Sequence, residues 1–209
     1  MSKQIIVDYI PFEITREQIN ESISENDGRL IVKGVLQRAE AKNQNGRVYP
    51  RETLVREAKK YAEVQIAERR ALGELDHPDS SVVNLNNVSH NILEMHWKGD
   101  DLEGTVEVLG TPSGNILKEL FKSGIKLGIS SRGLGSVEEI HESDGHEPVV
   151  KVQPDFELIA FDFVSNPSTH GAFLSPTNEG KLNEGVGTRD GKCCHDCLIE
   201  DIINDIFRG

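Results

Sequence analysis

The stretch Gly128-Ile129-Ser130-Ser131-Arg132-Gly133-Leu134-Gly135 leads two hydroxyl groups out of a short apolar run and into a segment with the glycines of a turn. Side chains of a β-strand alternate between its faces, so Ser130 shares a face with Gly128 and not with Ile129. Glycines also let other groups approach the backbone closely. The stretch predicts a strand that presents a hydroxyl in confined surroundings, or simply a serine-rich strand end.

The segments around this stretch predict many short strands and two clear helices. Apolar residues recur at helical spacing after Pro50, and Thr111-Pro112 predicts the start of a second helix that stops at Gly124. Strand patterns cover residues 30–39, 88–97, 101–109, 136–140, 148–152 and 156–165, with a hairpin turn at 98–100. We therefore expect an α+β fold in which an antiparallel β-barrel or sheet is packed by helices.

Composition limits the class of protein. The chain has 209 residues, 36% of them hydrophobic and 28% charged, as in a globular protein with one main domain and an appendage. No apolar run is long enough to span a bilayer, and Met1 to Asp8 lack the features of a secretory signal, so we expect an intracellular protein. The net charge of -12 disfavours direct nucleic-acid binding and favours protein partners.

The two ends differ from the middle of the chain. We divide it into an N-terminal segment (1–28), a main domain (29–176), a flexible glycine-containing linker (177–197) and a C-terminal amphipathic helix (198–209). That helix packs on its own domain, contacts another copy, or is a segment removed on maturation. Cys193, Cys194, His195 and Cys197 are too crowded for a structural zinc site, which brings two separated ligand pairs together, and no metal site is predicted.

Two further residues are candidates for chemistry. Asp162 is a single carboxylate in an otherwise apolar strand, where a buried charge needs either a partner or a function. His77 precedes Pro78 in the run Gly73-Glu74-Leu75-Asp76-His77-Pro78, and the proline biases it towards an extended conformation. A neutral imidazole at such a junction suits a general base, although a histidine of this kind is more often an ordinary loop residue.

Four motifs together resemble the prohead core protein proteases of tailed bacteriophages. They are Asn43 to Pro50, Gly73 to Pro78, Trp97 to Asp100 and Gly128 to Gly135, and the resemblance spans Leu30 to Pro176. It implies a fold similar to herpesvirus assemblin, a β-barrel surrounded by helices. It also implies a serine endopeptidase, without a cofactor, that cleaves scaffold, core and capsid proteins inside the prohead in the bacterial host cytoplasm.

The resemblance implies roles for individual residues. Ser130 matches the nucleophile and His77 the general base, with Ser131 as the competing serine. Asp162 is our choice for the third member of the triad; Glu157 fits less well, and His90 or His96 would fit an assemblin-like arrangement. For the oxyanion, the candidates are backbone N–H groups near Arg132 and Gly133, together with the Arg132 guanidinium.

The resemblance also implies a cleavage rule, which is cutting after a glutamate that follows Leu or Ile by two residues. Leu182-Asn183-Glu184 fits the rule within the linker, so we predict self-cleavage after Glu184 of a zymogen. The same pattern occurs at residues 72–74, 92–94 and 198–200. We further expect a homo-oligomer and no contact with membranes.

Two other functions remain open. In one, the chain is a non-enzymatic protein of the head core that binds scaffold and keeps the protease fold. In the other, it is a different serine hydrolase, such as an esterase, although the Gly-x-Ser-x-Gly elbow of those enzymes is missing.

Overall fold

Three β-sheets and three α-helices make up the fold in a computed structural model, which describes residues 3–76, 78, 80–140 and 148–165. The elements are β1 (Gln4–Phe12), α1 (Arg16–Glu25), β2 (Leu30–Arg38), β3 (Arg47–Val48), α2 (Arg51–Tyr61), a π-helical continuation of α2 (Ala62–Ile66), β4 (Leu72–Glu74), β5 (Val88–Lys98), β6 (Asp101–Val108), α3 (Pro112–Lys122), β7 (Leu127–Gly135), β8 (Val137–Ile140), β9 (Val149–Val152) and β10 (Glu157–Val164). The mixed α+β class is therefore confirmed.

The strands belong to separate sheets. Their orders are β1-β7-β10, β2-β6-β5-β4 and β3-β9-β8, and the first two sheets are antiparallel throughout. A parallel bridge between Leu75 and Phe163 brings the end of β4 beside β10. Within the described ranges this bridge does not complete a closed barrel, so the predicted barrel is not confirmed. The main hydrophobic core fills the space between the first two sheets and the helices, with Phe12, Ile129 and Phe163 on the side of the first sheet.

The helices and the hairpin that local sequence signals predict are present in the structure. Thr111 caps α3 by accepting a hydrogen bond from the Gly114 N–H, and Gly124 ends the helix with a φ of 75°. Strands β5 and β6 form the expected hairpin, and α2 buries the predicted stripe, including Leu54 and Tyr61. The N-terminal segment also contains structure: β1 pairs with β7 along its length, and α1 begins with a capping box at Thr15.

Strand β7 differs from its prediction. The glycine-flanked turn expected after the two serines is wrong, because the strand continues to Gly135 between β1 and β10. A Cβ atom on Gly133 would lie 2.2 Å from the Phe156 ring and 2.7 Å from the Glu157 carbonyl oxygen. The glycine is therefore needed for close packing within the sheet and not for a turn.

A methyl group at position 133 should destabilise the fold. We expect Gly133→Ala to lower the free energy of unfolding by about 1–3 kcal/mol, because the backbone oxygen of Glu157 has no freedom to rotate away. Gly110→Ala is the matched control, since a Cβ there meets nothing within 4 Å. Urea unfolding of both variants measures the difference, and equal stabilities would contradict the close packing at Gly133.

His90, on β5, is completely buried. Its Nε2 donates to the Phe161 carbonyl oxygen over 2.9 Å, so its Nδ1 accepts from the Ser89 hydroxyl over 2.8 Å. Burial lowers the pKa of His90 from its ordinary 6.5 to about 4. The folded protein therefore holds this imidazole neutral at physiological pH.

This buried imidazole should make stability fall in acid. As the pH drops from 6.5 towards 4, the unfolded chain binds a proton that the folded chain does not, and stability is lost. We expect His90 to account for about 2 kcal/mol of lost unfolding free energy between pH 7 and pH 5. His90→Gln should show a correspondingly smaller loss in urea unfolding at the two pH values. An identical loss in both proteins would contradict the shifted pKa.

Several expectations fall outside the described part of the chain. The linker, the cysteine cluster, the C-terminal helix and Glu184 lie beyond residue 165, and His77 also lies outside the described residues. Among the helices that are described, none has the length and apolar character needed to cross a membrane.

Candidate active site

One face of the β1-β7-β10 sheet carries the candidate chemistry. Ser130 lies in the middle strand, directly opposite Tyr9 of β1 and Asp162 of β10. Residues directly opposite each other in an antiparallel ladder point to the same face, and so do residues two apart in a strand. Ser130, Asp162 and Arg132 therefore share this face. The sheet thus brings together three residues that the sequence marks as candidates.

The two adjacent serines lie in different surroundings. The Ser131 hydroxyl is on the core face and accepts a hydrogen bond of 2.6 Å from the Gln37 side chain. The Ser130 hydroxyl is buried and has no hydrogen-bond partner in the part of the chain that the structure describes. A buried hydroxyl without a partner is unusual in a folded protein. Ser131 is therefore held by the core, and Ser130 is the one of the two whose hydroxyl makes no hydrogen bond to the described residues.

The guanidinium of Arg132, on this face, forms ion pairs with two buried carboxylates. Its Nε donates to Asp162 Oδ2 over 2.8 Å, and its Nη2 donates to Asp162 Oδ1 over 3.2 Å and to Glu74 Oε1 over 3.0 Å. Its Nη1 donates to the Ser80 carbonyl oxygen over 2.6 Å. All three charged side chains are 0% exposed. The partner that the sequence required for Asp162 is thus Arg132.

Burial and pairing act on Asp162 in opposite directions. Burial raises the pKa of the Asp162 carboxyl, and the hydrogen bonds and charge of Arg132 oppose that rise. Each nitrogen of the Arg132 guanidinium already donates to one of the groups described above. Four of the five guanidinium N–H groups are engaged in this way, and the part of Arg132 in holding an oxyanion stays a prediction.

Strand β4 brings the segment before His77 to the same place. A Cβ on Gly73 would lie 2.0 Å from the Phe161 carbonyl oxygen, so only glycine lets β4 come this close to β10. The Glu74 N–H donates to Asp162 Oδ1 over 3.0 Å. Asp76 has a left-handed φ of 65°, and its N–H donates to the Phe163 carbonyl oxygen over 2.7 Å. The residue before His77 is therefore fixed to the strand that carries Asp162.

The alternatives for the third member lie elsewhere. The His90 ring packs edge-on to Phe163, which points to the opposite face of β10 from Asp162, and both ring nitrogens have partners. His96 is exposed and pairs with Glu103 over 3.3 Å. Glu157 is exposed and pairs with Lys3 over 2.8 Å. Of the four candidates, only Asp162 lies beside Ser130.

The motif Asn43 to Pro50 supports β7 from the core face. Asp8 of β1 lies opposite Ser131 and is 1% exposed. Its carboxylate accepts hydrogen bonds from Asn45 over 2.6 Å, from Arg47 over 2.9 Å and from the Tyr49 hydroxyl. These contacts tie the motif to the strand next to the serines.

Sequence reasoning missed Glu74. It lies in the quoted run Gly73 to Pro78, but nothing in the local pattern distinguishes a buried glutamate from a solvated one. The available signal was the glycine before it: Gly73 indicates a close backbone approach, which places the next side chain in a confined space.

With this geometry established, comparison with known proteins identifies the class. A family model described as prohead core protein serine protease matches residues 6–184, and the chain therefore belongs to that family. The chain is 34% identical to the prohead core protein protease of Enterobacteria phage T4 over 150 residues, which is 70% of this chain and 68% of that protein.

A solved structure agrees with this assignment. The bacteriophage T4 capsid assembly protease, gp21, matches with a TM-score of 0.66 and 26% identity, over 79% of this chain and 99% of that chain. The predicted resemblance is confirmed, and with it the expectation of a protease of phage head maturation that acts inside the capsid.

Removing the guanidinium of Arg132 should strongly destabilise the folded protein. We expect Arg132→Leu to lower the free energy of unfolding by about 3–5 kcal/mol, because two carboxylates are left buried without their cation. The control is Arg38→Leu, which breaks a comparable two-bond pair with Asp101 at the surface and should cost less than about 1 kcal/mol. Urea unfolding distinguishes them, and similar small losses would show that the buried cluster does not hold the sheets together.

Proposed function

We propose that the chain is a serine endopeptidase in which Ser130 is the nucleophile, His77 the general base and Asp162 the third member of the triad. The Ser130 oxygen attacks the scissile carbonyl carbon while its proton passes to His77. The imidazolium then gives that proton to the leaving amine as the peptide bond breaks. Water, activated by the same histidine, hydrolyses the acyl-enzyme. The imidazolium carries its positive charge beside Asp162, which orients the ring.

The observation that carries this proposal is the buried hydroxyl of Ser130 directly opposite Asp162, which has no hydrogen-bond partner among the described residues. Ser131 makes a poor alternative, because its hydroxyl faces the core and is occupied by Gln37. The Asp76 N–H donates to the Phe163 carbonyl oxygen of β10, so the residue before His77 is held at the strand that carries Asp162, which supports the role of His77. These contacts agree with the roles that the family resemblance implies.

For the oxyanion we propose backbone N–H groups near Arg132 and Gly133. A bulge between Leu158 and Ala160 in β10 lies opposite these two residues. The extra residue of this bulge, Ile159, is on β10, so the bulge alters the strand opposite Arg132 and Gly133 but does not itself release their N–H groups. The assignment rests on the family resemblance, in which a backbone N–H near the nucleophile donates to the negative oxygen of the tetrahedral intermediate.

The proposed substrates are proteins of the phage head, cut after glutamate in Leu/Ile-x-Glu. The T4 relatives are named as proteases of the prohead core and of capsid assembly, which supports this class of substrate. Within this chain, the matches ending at Glu74 and Glu94 lie in paired strands, and Glu74 is 0% exposed. We therefore keep Glu184, in the predicted linker, as the site of self-cleavage.

Burial of the nucleophile fits a zymogen. Ser130 is 1% exposed, so a peptide cannot reach its hydroxyl without a rearrangement of the groups that cover it. We propose that the described state precedes activation.

The test is intact-mass spectrometry of the full chain over time. The parent should lose the residues after Glu184, and Ser130→Ala should slow this loss by roughly 10⁴-fold or more because no other group replaces the nucleophile. Ser131→Ala is the matched control and should still cleave, since Ser131 faces the core. If the parent and both variants stay intact, and added head-core protein also stays uncut, the non-enzymatic alternative replaces this proposal.

A further inference from the structure

A cavity of about 500 Å³ lies between β1, β2 and the segment that follows β2. Its apolar lining includes Tyr9 and Pro11 of β1, Val35 of β2 and Ala41. Pro11 is exposed and Val35 is half-buried, so the cavity has its mouth at the surface. A volume of this size with an apolar lining is typical of sites that bind an apolar group.

Tyr9 connects this cavity to the candidate active site. It lines the cavity and lies directly opposite Ser130 in the β1-β7 ladder, so its side chain is on the Ser130 face of the sheet. A Cβ atom on Gly128, which shares this face, would collide with the Tyr9 ring. The ring therefore occupies the space beside Ser130 along β7. The cavity begins one strand away from Ser130, which is a spacing of roughly 5 Å.

The edge of β1 at the cavity is open. Among the described strands, β1 pairs with β7 alone, and the cavity lies on its other side. The Val7 carbonyl oxygen is directed to that side, since it accepts from the Asn45 and Arg47 side chains. Backbone groups two residues apart in a strand are directed to the same side, so those of Tyr9 also face the open edge. An extended peptide can therefore pair with β1 at Tyr9.

The charges at the cavity suit an acidic peptide. Two of its three charged lining residues are the cations Arg38 and Lys42, and the third is Glu13, whereas the whole chain has a net charge of -12. Arg38 pairs with Asp101 through Nε and Nη2, and its Nη1 donates to none of the described residues. A peptide that contains glutamate is therefore repelled less here than over the rest of the protein.

We propose that this cavity binds the leucine or isoleucine that lies two residues before the cut glutamate, while the substrate chain pairs with the open edge of β1. This inference rests on the proposed function, which supplies the Leu/Ile-x-Glu rule. Two residues of an extended chain span about 7 Å. A leucine in the cavity therefore lets the chain cross Tyr9 and place the glutamate carbonyl carbon at Ser130. Because the cavity reaches the surface in the described state, the leucine can bind before Ser130 is uncovered.

Peptide binding tests the cavity without cleavage. We expect full-length Ser130→Ala to bind a fluorescent Leu-x-Glu peptide about tenfold more tightly than the same peptide with alanine in place of leucine. Adding Val35→Glu should weaken binding of the leucine peptide about tenfold and remove the difference between the two peptides. Fluorescence anisotropy measures the affinities. Equal affinities of Ser130→Ala for the two peptides would overturn the proposal.

Two further variants control this result. Val55→Glu makes the same change at a valine on α2 that is 38% exposed and does not line the cavity, so the leucine preference should stay. Pro11→Glu places a carboxylate at the mouth of the cavity on an exposed residue, and it replaces Val35→Glu if that variant does not fold. A folded cavity variant that keeps the leucine preference would overturn the proposal.

Crosslinking locates the bound peptide. A peptide with p-benzoylphenylalanine in place of leucine should attach to residues of the cavity, such as Pro11 or Val35. Attachment elsewhere, for example at the exposed Val82 or Leu85, would overturn the proposal. Loss of a dimer in Val35→Glu, measured by analytical ultracentrifugation, would assign the cavity to a second copy and would also overturn it.

The proposed function and this inference fail in different ways. If Ser130→Ala prefers the leucine peptide and is crosslinked at the cavity, but the parent never cuts the peptide, the proposed function fails and the binding site stands. If the parent cuts the leucine and alanine peptides with equal KM, the proposed function stands and the role of the cavity is overturned.

Discussion

The pairing of the Arg132 guanidinium with Asp162 and Glu74 is the constraint on which the candidate site depends. A guanidinium held at 0% exposure has to find its partners inside the protein, because leaving water without them is costly. Those partners come from different strands: Arg132 lies on β7, Asp162 on β10 and Glu74 on β4. Satisfying one cation therefore fixes three strands relative to each other. It also anchors the segment that leads to His77.

The alternation of side chains between the two faces of β7 decides which of the two serines faces the charged cluster. Ser131 faces the core, where Gln37 donates to it and the network around Asp8 supports the neighbouring strand. Ser130 faces the charged cluster and has no partner in the part of the chain that the structure describes. A shift of β7 by one residue would exchange these roles, so the pairing register on both sides of the strand is itself a requirement for the site.

Local signals allowed much of the fold to be predicted. Both predicted helices and the hairpin at Gly99 formed because caps, turn residues and apolar periodicity act over a few residues. The predicted turn after Ser131 was wrong for the opposite reason. Glycines serve turns and close packing equally well, and the ring that requires Gly133 belongs to Phe156, which is far away in sequence. The predicted barrel likewise depends on strand pairings that local patterns do not encode.

By itself, the sequence determined the family, through motifs at Asn43, Gly73 and Gly128 whose order and residue types are specific in combination. It also indicated that Asp162 needed a partner, since an unpaired carboxylate is costly to bury in an apolar strand. Only the tertiary structure decided that the partner is Arg132, that Glu74 shares it and that Ser130 rather than Ser131 faces them. The physical reason is that hydrogen bonds and burial of charges depend on which distant strands lie side by side, and that pairing is settled by the packing of the whole chain.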